Sequence, residues 1–165
     1  MTFTTREVVE KLLELLDGEG GLADSLEELK EAYGQEPTRP DAARVRILKG
    51  GTEIAERAFG ARYPEVRVYC ERIRTSPSEK LRRFSGEMRA VAEVRVSQDR
   101  LEGITERLQY YFDAVRDVLE RRSGCIGPGL YLSGEYEVQV DPVKKGGSFF
   151  LQSARVLCTV LINRS

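Results

Sequence analysis

An α+β fold, with a helix-strand-strand-helix-strand-strand core and helices packed on one face of a largely antiparallel four-stranded sheet, follows from two periodicities and one order. Apolar residues recur every three or four positions in 8–16 and 101–119, and alternate with polar ones in 66–71, 88–96 and 130–140. A last apolar stretch, 149–162, reads as the fourth strand. This order segregates helices to one side of an antiparallel sheet. With 165 residues and a hydrophobic fraction of 41%, the chain, 1–165, suits a single domain that buries a core without staples or metals.

The first helix starts at Thr4 or Thr5, either of which can cap it, and carries Val8, Val9, Leu12, Leu13, Leu15 and Leu16. Asp17-Gly18-Glu19-Gly20-Gly21 ends it. A more polar helix over 23–33 places Leu26, Leu29 and Tyr33 on one side, with Asp24 or Ser25 near its start. These helices make up the N-terminal part, 1–34. Residues 35–62 form an irregular or inserted segment: 34–40 hold two prolines and a glycine, 43–48 fit a short strand or a helical turn, and 53–59 fit a short helix. Tyr63-Pro64 then resets the chain to extended backbone.

Residues 63–165 supply the sheet and the long helix. Val66, Val68 and Cys70 face one way, and Arg67, Tyr69 and Glu71 the other. In the next strand Met88, Ala90, Ala92, Val94 and Val96 point inward, while Glu87, Arg89, Glu93 and Arg95 point outward. The opposite charges of the two outward rows suit an antiparallel pair. Ser97 or Asp99 caps the long helix, whose stripe of Leu101, Ile104, Leu108, Phe112, Val115 and Leu119 runs until Gly124. The third strand, 129–141, sets Leu130, Leu132, Tyr136, Val138 and Val140 on one face, and the chain turns at 142–147 to close a hairpin with the last strand.

That last strand is apolar on both faces. One parity gives Ala154, Val156, Cys158, Val160 and Ile162, and the other gives Phe149, Leu151, Leu157 and Leu161. A sheet with helices on one side only normally has a polar second face, so this surface needs a cover. Two covers fit: the segment 35–62 or the second helix folded over it, or a neighbouring subunit. The second reading makes Phe149, Leu151, Leu157, Leu161, Tyr69 and Val91 the candidate interface.

Chemistry is sparsely represented. The chain has no histidine, which removes Ser-His-Asp and Cys-His arrangements and the commonest transition-metal ligand. Cys70, Cys125 and Cys158 are odd in number and widely spaced, matching neither a disulfide framework nor a metal pair. Cys70 and Cys158, on apolar strand faces, read as buried reduced thiols. Lys49-Gly50-Gly51-Thr52 lacks phosphate-loop spacing, and Gly127-Pro128-Gly129 reads as punctuation. Glu135 and Glu137 could hold a hard cation but have no third carboxylate beside them. No catalytic residue, metal ligand or cofactor is therefore assigned.

A net charge of -1 gives no general attraction to a polyanion, so nucleic-acid contact falls to two local groups. Lys80, Arg82 and Arg83 follow the first strand, and Lys144 and Lys145 sit at a hairpin tip. They fit nucleic acid, an acidic partner, or the protection of sheet edges. The N-terminus has no secretory pattern, and the apolar run at 156–162 is far too short to span a bilayer, so no membrane partner is expected.

Tyr63-Pro64-Glu65-Val66-Arg67-Val68-Tyr69, then Arg95-Val96-Ser97 leading into the long helix and the closing hairpin, resembles the tail terminator or tail-completion (neck) proteins of long-tailed bacteriophages, over roughly 64–164. The resemblance implies a non-enzymatic virion protein, made in the host bacterial cytoplasm, that forms a homohexameric ring at the head-proximal end of the tail. Such a ring stops tail-tube growth, meets the tail-tube protein and the head-tail connector, and lets DNA pass through its lumen without sequence-specific binding. No functional side chain carries over, and 35–62 fits an added arm. The competing reading is a small nucleic-acid-binding α+β module using Arg82, Arg83, Lys144 and Lys145.

Overall fold

The computed structural model describes residues 4–34, 45–49, 63–75 and 84–164. Helices α1 (Thr4–Asp17) and α2 (Leu22–Tyr33) come first, followed by strands β1 (Arg46–Lys49), β2 (Glu65–Thr75) and β3 (Phe84–Gln98). Helix α3 (Ile104–Arg121) then leads into β4 (Gly124–Gly127), β5 (Leu130–Val140), β6 (Lys144–Gly146) and β7 (Phe149–Arg164). The fold is α+β. Residues 53–59, read above as a short helix, and Lys80, Arg82 and Arg83 lie outside the described residues.

The sheet has seven strands rather than four, in the order β1-β2-β3-β7-β5-β4, with β6 also on β7. The three extra strands are three or four residues long. Gly124-Cys125-Ile126-Gly127 and Lys144-Lys145-Gly146 look like punctuation in sequence, and only pairing makes them strands. The stretch 43–48, left open between strand and helical turn, contains β1, which joins β2 as the one parallel pair among the described strands. All other pairs are antiparallel, including the β2–β3 pair whose opposite charges meet as Arg67 beside Glu93 and Glu65 beside Arg95.

Besides a register shift between Cys125 and Gly127 in β4, two irregularities shape the long strands. In β2 one extra residue between Cys70 and Arg72 flips the parity, so Ile73 falls level with Met88 while Arg72 and Arg74 fall level with Arg89 and Glu87. In β5, Leu132 pairs with Val160 and Tyr136 with Cys158, so two extra residues bulge out and the parity survives.

Helix α3 begins later than its apolar stripe suggests. Ser97 belongs to β3, and neither Ser97 nor Asp99 caps the helix: Gly103, at φ 78°, precedes Ile104 with no side-chain cap. The turn is tied instead by the buried Gln98, whose amide donates to the carbonyls of Arg100 (2.7 Å) and Glu102 (2.8 Å). Arg107 reaches back to the Ser97 carbonyl at 3.0 Å. Leu101 is consequently outside the helix and exposed.

Helices α1 and α3 cover one face of the sheet, and the core lies between them. Val8, Leu12 and Leu16 of α1 and Ile104, Leu108, Val115 and Val118 of α3 meet Val66, Met88, Val94, Val156 and Val160. Helix α2 packs on α3, where Ser25 Oγ donates to Asp117 at 2.5 Å and Tyr110 Oη donates to the Leu26 carbonyl at 3.0 Å. Ser25 thus serves packing rather than capping, and Asp24 accepts the Gly20 amide at 2.6 Å. Gly21 makes the sharp α1–α2 turn possible, because a Cβ there would lie 2.5 Å from the Leu16 carbonyl oxygen. Among the described residues no helix is long and apolar enough to cross a membrane.

The shifted start of α3 separates two leucines that look equivalent in sequence. Leu108→Ala is expected to cost about 2–5 kcal/mol, and Leu101→Ala to stay within about 0.5 kcal/mol of the parent, by urea or thermal unfolding.

Candidate assembly surface

The face of the sheet opposite α1 and α3 carries the odd positions of β3 and β7. In register across the strands, Tyr69 lies beside Val91, Val91 beside Leu157, and Leu157 beside Glu137. Val91 and Leu157 are buried yet stand apart from the main core. Leu157, expected to be left for a partner, is only 2% exposed, so its own chain shelters it, and the same correction applies to Val91.

Charged side chains lie across the same face. Arg89 on β3 reaches Glu71 on β2 at 3.3 Å and Glu137 on β5 at 2.6 Å. Because β7 lies between β3 and β5, the arginine must cross β7 at the level of Leu157 and Thr159 to reach Glu137. A long side chain with an aliphatic stem can cover apolar surface in this way while its charge stays near water. Further along the same face, buried Glu65 takes Arg67 at 3.1 Å and Arg95 at 3.5 Å, and Arg155 sits 3.8 Å from Asp141. Half-buried Tyr69 completes the row, its phenol pushed up by burial and then by Glu93. Ion pairs therefore run along the same face as the apolar residues of β7.

Cover fails at two places. Tyr131 and Leu161 face each other across β5 and β7 and are 53% and 46% exposed. Phe149, at the β6–β7 hairpin, is 55% exposed, with Leu151 half-buried two residues on. Lys144 and Lys145 are exposed on β6 as a hairpin-tip pair, and Lys145 Nζ sits 5.9 Å from the centre of the Phe150 ring. Of the residues read as an interface, Phe149 and Leu161 are open, Leu151 and Tyr69 partly so, and Val91 and Leu157 closed. Tyr131 was missed; its signal is an aromatic residue out of phase with Leu130 and Leu132.

Reactive groups are quiet. Glu137, considered above as a cation ligand, has its carboxyl held below the usual range by the Gln139 amide and also by Arg89. Among the described residues no group of three or more acidic or cysteine side chains could hold a metal. The three thiols are free: Cys125 is exposed, Cys70 half-buried, and Cys158 buried with its pKa pushed up to about 12 by that burial.

No family model matches the chain, and no curated protein matches it. Among solved structures it is similar to a chain of the "Virion of native gene transfer agent (GTA) particle", with a TM-score of 0.40 and 11% identity over 86% of this chain and 91% of that chain. A likeness of that size carries no argument about function.

Two measurements follow from this face. Arg89→Met keeps an apolar stem and is expected within about 1 kcal/mol of the parent, since exposed ion pairs contribute little, whereas Arg89→Ala bares Leu157 and is expected to cost about 1–3 kcal/mol. For the thiols, an aromatic disulfide reagent is expected to modify Cys125 first and Cys158 only on unfolding. Because the folded pKa of Cys158 lies above its ordinary value of 9.0, its contribution to stability is complete below pH 9 and is lost between about pH 9 and 12. Cys158→Ala is expected to flatten that part of the stability profile.

Proposed function

We propose that this chain is a structural, non-enzymatic subunit of a phage-like tail or neck. Its copies form a closed ring, in the sense of a tail terminator, that stops tail-tube growth and joins the tail to the head connector. The observation that carries this reading is the exposed Tyr131–Leu161 pair, on a sheet face that also carries exposed Phe149. Scattered apolar residues on a surface need no partner, but two that face each other across neighbouring strands form the beginning of a contact patch.

The order of elements supports the reading through the resemblance given above. Closed cyclic symmetry makes assembly self-limiting, which a terminating ring requires. Full burial of a large apolar side chain contributes roughly 1.5–3 kcal/mol, so Tyr131, Leu161 and Phe149 together offset a useful part of the association entropy. Homohexamer formation, contact with the tail-tube and connector proteins, and passage of DNA through the lumen without sequence-specific binding belong to the same proposal.

Light scattering of the purified chain across a wide concentration range, with negative-stain imaging, tests it. Ring-shaped oligomers are expected, and Tyr131→Glu combined with Leu161→Glu is expected to shift the population to monomers while the circular dichroism spectrum stays unchanged. A strictly monomeric wild type, alone and with tail tubes present, would overturn the reading.

A further inference from the structure

We infer that the β6–β7 hairpin tip of one copy seats in the groove between α2 and α3 of a second copy, with Lys144 and Lys145 meeting Glu28 and Glu106. This rests on the assembly reading above only in that copies of the chain meet, and it places a contact at the other end of β7 from the Tyr131–Leu161 pair.

Two helix faces make the groove. Ser25, Glu28, Leu29 and Ala32 of α2 stand at helical spacing along one wall, and Glu106, Tyr110, Asp113 and Asp117 of α3 along the other, around a space of about 450 Å³. The bonds from Ser25 to Asp117 and from Tyr110 to the Leu26 carbonyl tie the walls together, so the groove is formed before a partner arrives. Its charge is one-sided. Among the described residues Arg116 is the one basic side chain in the lining, and it engages Asp113 at 3.4 Å, while Arg121 engages Asp117 at 3.0 Å. Glu28 and Glu106, one on each wall, are exposed and have no basic partner among the described residues.

The tip has the reverse pattern. Gly147, at φ 64°, is the first of two turn residues and takes the left-handed conformation that suits a tight hairpin. Below it the ribbon pairs Lys144 with Leu151, Lys145 with Phe150 and Gly146 with Phe149. Successive side chains of a strand point to opposite faces, so the two lysines leave the ribbon on opposite sides. Both are exposed; Lys145 lies 5.9 Å from the centre of the Phe150 ring, and neither lysine has a carboxylate partner among the described residues. Phe149 shares the Lys144 face and stands beside Gly146, which offers no side chain to cover its exposed ring.

The two patterns match in number, sign and arrangement. A ribbon that enters tip first, its faces toward the two helices, turns one lysine toward each wall, and each wall offers one unengaged carboxylate. With Lys144 toward Glu28, Phe149 is carried to Leu29 and Ala32 on the same wall, and Lys145 to Glu106 on the other. Both partners are already shaped, which lowers the ordering cost of association. Charge here fixes orientation, and the apolar contact of Phe149 adds holding strength.

Sedimentation velocity on the full chain tests this contact. Lys144→Glu with Lys145→Glu, and separately Glu28→Lys with Glu106→Lys, are each expected to weaken self-association at least about tenfold, and the chain carrying all four changes is expected to recover it. Because Glu106 sits in the first turn of α3, where a lysine opposes the helix dipole, Phe149→Ser at the exposed tip provides a second arm and is also expected to weaken association, with thermal unfolding reporting that the fold is kept. A wild type that assembles while neither the tip swap nor Phe149→Ser weakens it overturns the contact and leaves the assembly reading standing. A groove swap that weakens assembly without any effect of the tip swap gives the groove to another basic occupant and overturns the contact too, as does failure of the fourfold variant to recover. A wild type that never assembles overturns both.

Discussion

The unbroken antiparallel ladder between β3 and β7 sets the rest of the molecule. It runs from Phe84 beside Arg164 to Gln98 beside Phe150 without a slip, fifteen consecutive pairs. Side chains alternate across a sheet with a period of two, so one register decides every side-chain direction on both central strands. Met88, Ala90, Val94, Val156, Cys158 and Val160 are thereby committed to the helices, and Arg89, Val91, Leu157 and Leu161 to the opposite face. A slip of one residue would exchange the two sets, sending arginine and glutamate under α3 at a cost no surface pairing could offset.

The opposite face shows how a sheet with a single helical layer manages its leftover apolar residues. Val91 and Leu157 are not covered by another element of the described chain but lie in a row crossed by Arg89. The guanidinium has carboxylates on both sides of the sheet, Glu71 and Glu137, so its path is fixed at both ends. Electrostatics here directs a side chain more than it stabilises the fold, because the carboxylates are substantially exposed and such pairs contribute little. Glu65 differs, being buried between Arg67 and Arg95, where removal of one partner would leave charge without compensation.

Parity was legible in the sequence, and so were the long elements. The alternation in 88–96 and 154–162 places the core residues on the correct side, and the three- and four-residue spacing in α1 and α3 places theirs. Strand order was not legible, since nothing local says that β7 inserts between β3 and β5, and the cover over Leu157 depends on that insertion. The start of α3 was misplaced because a glycine in the left-handed region and the Gln98 amide replace the expected side-chain cap. Short strands such as β4 and β6 carry too few residues for any period to register. As for the candidate surface, sequence located Phe149 and Leu161 but could not separate them from Leu157, because all three share a parity and differ in where along β7 they fall, Leu157 in mid-strand and the other two near its ends.

The bulges in β2 and β5 impose one rule on chain length. The β5 bulge holds two surplus residues, so Tyr136 keeps its hydroxyl in reach of Arg116, which donates to it at 2.9 Å, and Val138 stays against the core. Losing both surplus residues would conserve every downstream direction. At Glu71 the surplus is a single residue, and deleting it would leave Arg72 beside Arg89 and Ile73 beside Met88 in a regular ladder, every downstream direction kept. Gene copies that drift by deletion can therefore close either bulge without turning a side chain over, by losing one residue from β2 or two from β5.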